Sequence, residues 1–389
     1  GITVDGSLIT VFMNIEESDL ILWPDPDTAT VLPWRPTEGR VIRMYCDITL
    51  PNGKPFEGNC RGYLQSVVKR ARAMGLTVNV GCECEFYLFE TDENGNPTHI
   101  PLDHGGYFDI PPLDKGENLR RDICLSIEEM GLQPEHSHHE SGPGQNEVCF
   151  RYAPALKSAD NLNTFKSAVK AIAARNGLYA SFMPKPLHDQ SGNGLHVNMS
   201  LVRDGKNLFE GDLTPDSEAG YFVAGILAHA RELTAFCNPV PNSYARLGAN
   251  EAPLYVSWSR QNRSQLVRLP SASGDLCRVE LRGPDPAGNP YLVIGLILAA
   301  GLDGIANKLP RPEPVNRSLF HPSAAVGLES LPHSLREAIT VAAQSDFIAA
   351  ELPLALQNKY FEYQTQLCHG YENAPDPAVW ERTHGFLVI

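Results

Sequence analysis

Polar and apolar side chains alternate most strictly in three short stretches, and each stretch carries charged or ligand-type residues on its polar side. They are Glu83-Cys84-Glu85-Phe86-Tyr87-Leu88-Phe89, Leu195-His196-Val197-Asn198-Met199-Ser200 and Arg278-Val279-Glu280-Leu281-Arg282. Successive side chains of a strand point to opposite faces. Glu83, Glu85 and Tyr87 therefore share one face, opposite Cys84, Phe86 and Leu88. His196, Asn198 and Ser200 share another, backed by Leu195, Val197, Met199 and Leu201. Arg278, Glu280 and Arg282 are backed by Val279 and Leu281. A polar lining on an apolar backing, three times over, describes a carboxylate- and Arg-lined cavity inside a sheet. One Glu-x-Glu alone is more often a solvated sheet face, and a lone strand His is more often a structural hydrogen-bonding group. The weight lies in the combination.

Apolar residues at helical spacing predict helices over about 59–73, 118–130, 160–176, 218–236 and 290–308. Gly75, Gly131 and Gly177 are the stops of the first three, and Asp160 or Asn161 is the expected cap of the third. The chain from Ser334 onward reads as mostly helical, whereas residues 1–55 read as strands and loops rich in Pro and Asp. Strands and helices interleave without βαβ regularity, which predicts an α+β fold.

With 389 residues the chain can bury a large core. Its net charge of -14 offers no basic field for a nucleic acid or an acidic membrane, so neither is expected as a partner. The nine Cys are scattered and odd in number, which predicts reduced thiols and a cytoplasmic setting. Cys82-x-Cys84 has no second pair nearby and is not expected to hold zinc. The apolar run 291–302 is too short to cross a bilayer.

Carboxylates that share a cavity repel one another unless cations hold them together, so the lining points to divalent metal and its Arg residues to an anionic substrate. A fourth stretch, 136–148, adds Glu140 and Glu147 on either side of a Gly/Pro turn that can aim both at one ion. Neither Gly-x-x-x-x-Gly-Lys-[Ser/Thr] nor Gly-x-Gly-x-x-Gly after a strand occurs, so a nucleotide would bind through metal and Arg. Arg263 and Arg268 differ in parity: either the strand breaks between them or they serve different walls. Glu251 lies on a loop tip, where an ordinary solvated acid is the commoner outcome. Such a site suits phosphoryl transfer from a metal-bound nucleotide, with metal-assisted phosphate-ester hydrolysis as the rival.

At this point the chain resembles the type I glutamine synthetase family over almost its whole length. The landmarks, in order, are Val4-Asp5-Gly6-Ser7, Glu16-Glu17-Ser18-Asp19-Leu20, Glu83-x-Glu85-Phe86, Gly105-Gly106-Tyr107-Phe108 and His139-Glu140 with Gly144-Gln145-Asn146-Glu147. Then come Phe182-Met183-Pro184-Lys185-Pro186, Gly192-Asn193-Gly194-Leu195-His196, Asn242-Ser243-Tyr244, Asn262-Arg263-Ser264 and Asn289-Pro290-Tyr291-Leu292.

The resemblance implies a curved antiparallel sheet forming an active-site funnel flanked by helices, within a catalytic domain at 56–389. It implies that Glu85, Glu140 and Glu147 bind the metal nearest the glutamate site. Glu83, His196 and Glu280 would bind the metal that bridges nucleotide phosphates. Arg246, Arg263 and Arg282 would hold the glutamate carboxylate and the transferred phosphoryl group. Arg268, Arg278, Glu135, Tyr152 and Ser200 would contact the nucleotide. Gly192 and Ser191 would lie at the glutamate amino end, Glu251 would be the flap acid that takes a proton from ammonium, and Tyr107 would line the ammonium pocket.

The implied activity is ATP-dependent formation of glutamine from glutamate and ammonia through γ-glutamyl phosphate. Mg2+ or Mn2+ would serve as cofactor, two to three per site, in a dodecamer of two hexameric rings. A γ-glutamyl-amide ligase using an organic amine and a non-catalytic assembly protein are the alternatives. Three departures stand out. Ser191 replaces a usual Asn, and the loop 246–251 is one residue short. Residues 1–55 read as a remnant, with most of the N-terminal β-grasp domain missing and no residue to replace the acid that this domain lends to a neighbouring subunit's ammonium site.

Overall fold

The computed structural model describes residues 1–8, 18–35, 38–211 and 213–389, and of Pro322 the backbone only. Landmark residues Glu16 and Glu17 lie outside the described residues. The N-terminal part holds β1 (Ile2–Asp5), β2 (Asp19–Pro24), β3 (Thr30–Val31), β4 (Ile42–Arg43) and β5 (Cys46–Thr49). Strands β1, β2 and β5 form one antiparallel sheet with β2 in the middle, and β3 pairs with β4.

The rest is organised on one large sheet. Its elements are α1 (Cys60–Ala73), β6 (Thr77–Thr91), β7 (Pro97–Pro101), α2 (Glu117–Glu129), β8 (Pro134–His139), β9 (Gln145–Phe150), β10 (Ala153–Pro154), α3 (Ala155–Arg175) and β11 (Leu178–Ser181). They continue with β12 (Leu195–Arg203), β13 (Lys206–Asn207), α4 (Glu218–Cys237), α5 (Ser243–Arg246), β14 (Trp258–Arg260), β15 (Val267–Leu269), β16 (Val279–Leu281) and α6 (Pro290–Asn307). Helices α7 (Leu335–Ala343), α8 (Asp346–Glu351), α9 (Leu354–Glu372) and α10 (Pro377–Glu381) complete the chain. The sheet has 11 strands, with β14-β15-β16-β12-β6-β9-β8 as its main path. Every pairing along that path is antiparallel except β14 with β15.

The long strand β6 is the spine. Its first half pairs with β12 from Thr77 to Cys84, and its second half pairs with β9 at Glu85, Phe86 and Tyr87. The apolar parity read from the sequence holds here: Val80, Cys82, Cys84, Phe86 and Leu88 are buried in the core, with α1 and α3 packed on β6. Burying that face leaves Glu83 and Glu85 on the opposite one. Helix α6 is apolar on all sides, and it is long and apolar enough to cross a membrane by length and composition; 78% of it is buried inside this protein instead. It packs closely on α4, where a Cβ at Gly225 would come within 2.1 Å of the Ala300 carbonyl oxygen. Only glycine allows that approach.

The predicted helices are present, with one displaced start. Helix α3 begins at Ala155, directly after Pro154, so Asp160 lies inside it instead of capping it. The reason is tertiary. Asp160 is buried and accepts two hydrogen bonds from Arg61 at 3.1 and 3.2 Å and one from Tyr291 Oη at 2.6 Å. Arg61 also reaches Asp25 at 2.7 Å and Asp47 at 3.0 Å, which fastens the N-terminal strands to the main body. Removing a buried guanidinium leaves its partners uncompensated, at about 3–5 kcal/mol. Arg61→Met is therefore expected to lower unfolding free energy by that order. A denaturant midpoint within experimental error of the parent would show the network to be dispensable.

The C-terminal apolar residues divide. Phe386 is fully buried against Phe89, His99 and Tyr179, while Leu387 and Val388 remain exposed.

Candidate active site

Strand pairing carries the polar faces into one continuous band. Arg268 stands opposite Glu280, Glu280 opposite Asn198, and His196 opposite Glu83. One step along β6, Glu85 stands opposite Glu147, which is itself opposite His138. Glu140 joins them because the hairpin between β8 and β9 closes with Glu140 N donating to Gln145 O at 2.8 Å.

Two groups of ligand-type residues result. Glu85, Glu140 and Glu147 each place one carboxylate oxygen within 4.8 Å of the others, and so do the ligand atoms of Glu83, His196 and Glu280. In the first group Glu85 Oε2 accepts from Gly194 N at 2.8 Å and from Gln145 Nε2 at 3.1 Å, and His138 Nε2 lies 2.7 Å from Glu140 Oε1. Burial, then the charges of Glu140 and Glu147, push the Glu85 carboxyl well above its usual range. Burial and the Glu83 charge raise Glu147 to about 7. Three converging carboxylates, two of them with raised pKa, are a donor set that a divalent cation completes, so the residues present fit a hard metal ion.

The second group balances itself. Burial opposes ionisation of Glu83, but the His196 hydrogen bond at 3.1 Å, the charges of His196 and Arg278 and the Asn198 bond at 3.0 Å outweigh it and hold Glu83 at about 2. Glu280, 1% exposed, is gripped by Arg268 on Oε2 and by Arg282 on Oε1 at 2.8 Å. Each of its oxygens keeps a second lone pair for a cation.

Two cavities flank these groups. One of 40 Å³ is lined by Glu85, Glu140, Gly192, Arg246, Glu251 and Arg282, with Ser191 at its rim. A side chain at Gly192 would strike Pro184 O at 2.6 Å and Arg246 Cγ at 2.9 Å, so glycine keeps this wall open. The loop carrying Glu251 closes over the cavity through Asn250 Nδ2, which donates to Ser191 Oγ at 3.1 Å. The other cavity, of 300 Å³, is lined by Glu135, Tyr152, Ser200, Arg278, Asn79 and Leu276 among others. Arg268 does not line it; it is turned to Glu280 and to the Gln261 carbonyl. Arg263 is exposed in the turn before β15, so the strand does break between it and Arg268. Tyr107 is exposed beside His138, and burial together with the charges of Glu140, Glu147 and Glu251 raises its phenol against the opposing pull of Arg263.

The match with known proteins is extensive. Residues 57–383 match the family described as glutamine synthetase, catalytic domain, and residues 1–51 match glutamine synthetase, beta-Grasp domain. The chain belongs to the glutamine synthetase family. The glutamine synthetase of Methanosarcina mazei is 50% identical over 360 residues, 90% of this chain and 80% of that protein. That of Clostridium saccharobutylicum is 50% identical over 343 residues, 86% and 77% of the two chains. Among solved structures, a GmaS/ADP complex superposes with a TM-score of 0.87 at 33% identity over 99% of this chain and 89% of that one. Plasmodium falciparum glutamine synthetase gives 0.84 at 25% identity, covering 98% and 89%.

The family match corrects one expectation. The β-grasp domain is represented by residues 1–51, so residues 1–55 are not a remnant stripped of it. The misreading has a physical origin: β1, β2 and β5 have 4, 6 and 4 residues, too short to show a period on their own.

Sequence reasoning gave no role to three supporting residues. Gln145 Nε2 ties Glu85 to the Gly192 carbonyl and to Asn193. Asn198 bridges Glu83 and Arg278, with its Oδ1 accepting from Arg278 Nε at 2.8 Å. Buried Asp103 accepts from Gly105 N, Lys115 N and Gly144 N and lies 2.8 Å from His139 Nε2, which anchors the Tyr107 loop. Asn198 was visible in the strand parity; Asp103 had no sequence signal.

Proposed function

We infer that this member of the glutamine synthetase family uses ATP to phosphorylate the γ-carboxylate of glutamate and that ammonia then displaces phosphate to give glutamine. The reading is carried by one observation: two ligand groups sit between a small Arg-lined cavity and a larger one in a chain 50% identical to named glutamine synthetases. The 300 Å³ cavity suits the nucleotide, with Glu135, Tyr152, Ser200 and Arg278 around it. The 40 Å³ cavity suits the glutamate end, with Gly192, Ser191, Arg246 and Arg282. Mg2+ or Mn2+ held by Glu85/Glu140/Glu147 and by Glu83/His196/Glu280 would neutralise the phosphoryl oxygens.

The chain's own groups do the rest. Arg246 is buried and fixed by the Gly283 carbonyl at 2.8 Å, so its charge stays aimed along the cavity wall. Arg263, exposed in the turn before β15, would follow the phosphoryl group, with Arg268 behind Glu280. Glu251, on the loop latched by Asn250, excludes water from the acylphosphate and takes the proton that ammonium must lose. Tyr107 closes the nucleophile's side.

The division at residue 55 between N-terminal and catalytic parts follows from the same reading. So does a cytoplasmic homo-oligomer, built as two stacked hexameric rings. All nine Cys are free, and the N-terminal sheet exposes Ile2 and Trp23, apolar surface that another copy would cover.

The deciding experiment measures phosphate release dependent on ATP and glutamate, with ammonium and a panel of amines. Fastest release with ammonium supports glutamine formation. Preference for an alkyl amine would reassign the nucleophile, and no release would leave an assembly protein. Glu140→Ala is expected to weaken Mg2+ or Mn2+ binding at least about tenfold. Unchanged affinity in a calorimetric titration would remove Glu140 from the ligand set.

A further inference from the structure

The inner sheet face carries a second kind of donor set next to the oxygen-rich one. His136 and His138 are two apart on β8 and share a face. Across the ladder His138 stands opposite Glu147 and His136 opposite Cys149. The His136, His138 and Glu147 side chains each place one ligand atom within 4.8 Å of the other two. His138 Nε2 lies 4.0 Å from Glu147 Oε1, and the two imidazole rings run nearly parallel with centroids 6.1 Å apart. Glu147 Oε1 is steadied from behind by the Cys149 thiol, which donates to it at 3.0 Å.

A second observation points to a ligand. His138 Nε2 is already engaged by Glu140 Oε1 at 2.7 Å, which leaves the buried Nδ1, without a hydrogen-bond partner among the described residues, as the ring nitrogen open to an ion. A buried imidazole nitrogen left without a partner costs free energy that a bound group would recover. His138 is not free to swing out to water, because the Phe108 ring stacks on it at 4.5 Å. His136 lines the 300 Å³ cavity, which gives an ion a route in.

We propose that His136, His138 and Glu147 form a binding site for an imidazole-preferring divalent transition metal such as Zn2+ or Co2+, and that it competes with the oxygen-ligated centre for Glu147. Two imidazoles and one carboxylate are a favourable set for Zn2+, which binds at about 2.0–2.2 Å and accepts three protein ligands plus water. Small side-chain rotations bring the three atoms to that distance. Mg2+ prefers oxygen donors in near-octahedral array and gains little from the His pair. Glu147 can still offer its second oxygen to the ion of Glu85 and Glu140, but two divalent ions held on one carboxylate repel each other and divide its charge. The protein therefore holds two ion sites with one shared carboxylate: one reads hard ions, the other borderline ones. Occupation of the second opposes occupation of the first.

The test needs no turnover. Co2+ is titrated into the full chain with Mg2+ saturating and followed by the visible absorption of low-coordinate Co2+. The parent is expected to give the bands, and His136→Ala to bind Co2+ at least tenfold more weakly. Zn2+ is expected to raise the Mg2+ concentration for half-occupancy at least tenfold in the parent and less than twofold in His136→Ala. His136 is solvent-exposed, so this variant keeps its fold; a thermal melt checks that. His138→Ala is the second variant, expected to lose the bands as well. Equal Co2+ affinity in parent and His136→Ala overturns the site. The proposal uses Glu147 as the proposed function does, yet the two fail separately: bands that depend on His136 in a protein that makes no glutamine leave this site standing.

Discussion

Glu280→Ala is expected to abolish glutamine synthesis to within the assay background, a loss of at least about 10²–10³-fold, and to destabilise the protein by about 3–5 kcal/mol. Both effects have one cause. Glu280 is buried beneath two guanidinium groups, Arg268 on one oxygen and Arg282 at 2.8 Å on the other, with His196 Nδ1 at 3.7 Å. Deleting the carboxylate removes a proposed metal ligand and sets two cations side by side without their shared counter-charge. Arg282 is itself buried and cannot turn to water. Glu280→Gln keeps the shape and one acceptor for the arginines, so it is expected to recover much of the stability and little of the activity. The measurements are a denaturant melt and initial rates at saturating Mg2+ for both variants. A Glu280→Ala protein that turns over within tenfold of the parent would show that neither the ion nor the arginine pair depends on this residue.

The contrast between Glu280 and Asp160 shows what was legible in the chain. Glu280 lies between Val279 and Leu281, and its parity alone set it on the polar face with Arg278 and Arg282. The same parity separated Glu83 and Glu85 from the core and put His196 beside Asn198. Local alternation determines which face a residue takes, because a one-residue slip would expose the whole apolar set.

What alternation cannot give is the partner strand. That Glu85 meets Glu147, and His196 meets Glu83, depends on pairings far apart in sequence, and the family resemblance supplied those sets before the register did. Asp160 failed for the opposite reason. Its local signal, an acid before an apolar helix face, was a fair cap; a buried Arg61 from α1 overrode it. The small N-terminal strands failed for lack of length. The Asn250 to Ser191 bond was invisible because it joins two loops, although both residues had drawn notice as departures in the glutamate and flap segments.

The N-terminal sheet bears on the nucleophile. The family resemblance implies an acid lent by this domain to a neighbouring subunit's ammonium site, and residues 1–51 match the β-grasp domain. Asp25 and Asp47 are committed to Arg61. Asp5 is exposed at the end of an edge strand, and the Ser7 hydroxyl and backbone N–H, at 2.6 and 2.9 Å, hold its carboxyl below the usual range. An ionised, outward-facing, pre-positioned carboxylate is what a neighbour's cation pocket would draw on, so Asp5 is the residue to test.

Asp5→Asn keeps the shape and removes the charge. Ammonium is a cation at neutral pH and would be gathered by that charge, whereas hydroxylamine is neutral and would not. A charged, partly walled cleft concentrates a counter-ion by about 10–10³-fold. Asp5→Asn is therefore expected to lower glutamine formation about ten- to a hundredfold while leaving γ-glutamyl hydroxamate formation within about threefold. Phosphoryl transfer, which in the proposed function draws on Arg246, Arg263 and the metal ligands of one chain, is expected to persist. The measured quantity is the ratio of hydroxamate to glutamine for parent and variant at equal ATP and glutamate. A ratio unchanged by Asp5→Asn would place the ammonium-attracting charge elsewhere, with Glu251 the first residue to examine, and a fall in both products together would make Asp5 a structural residue of the subunit contact.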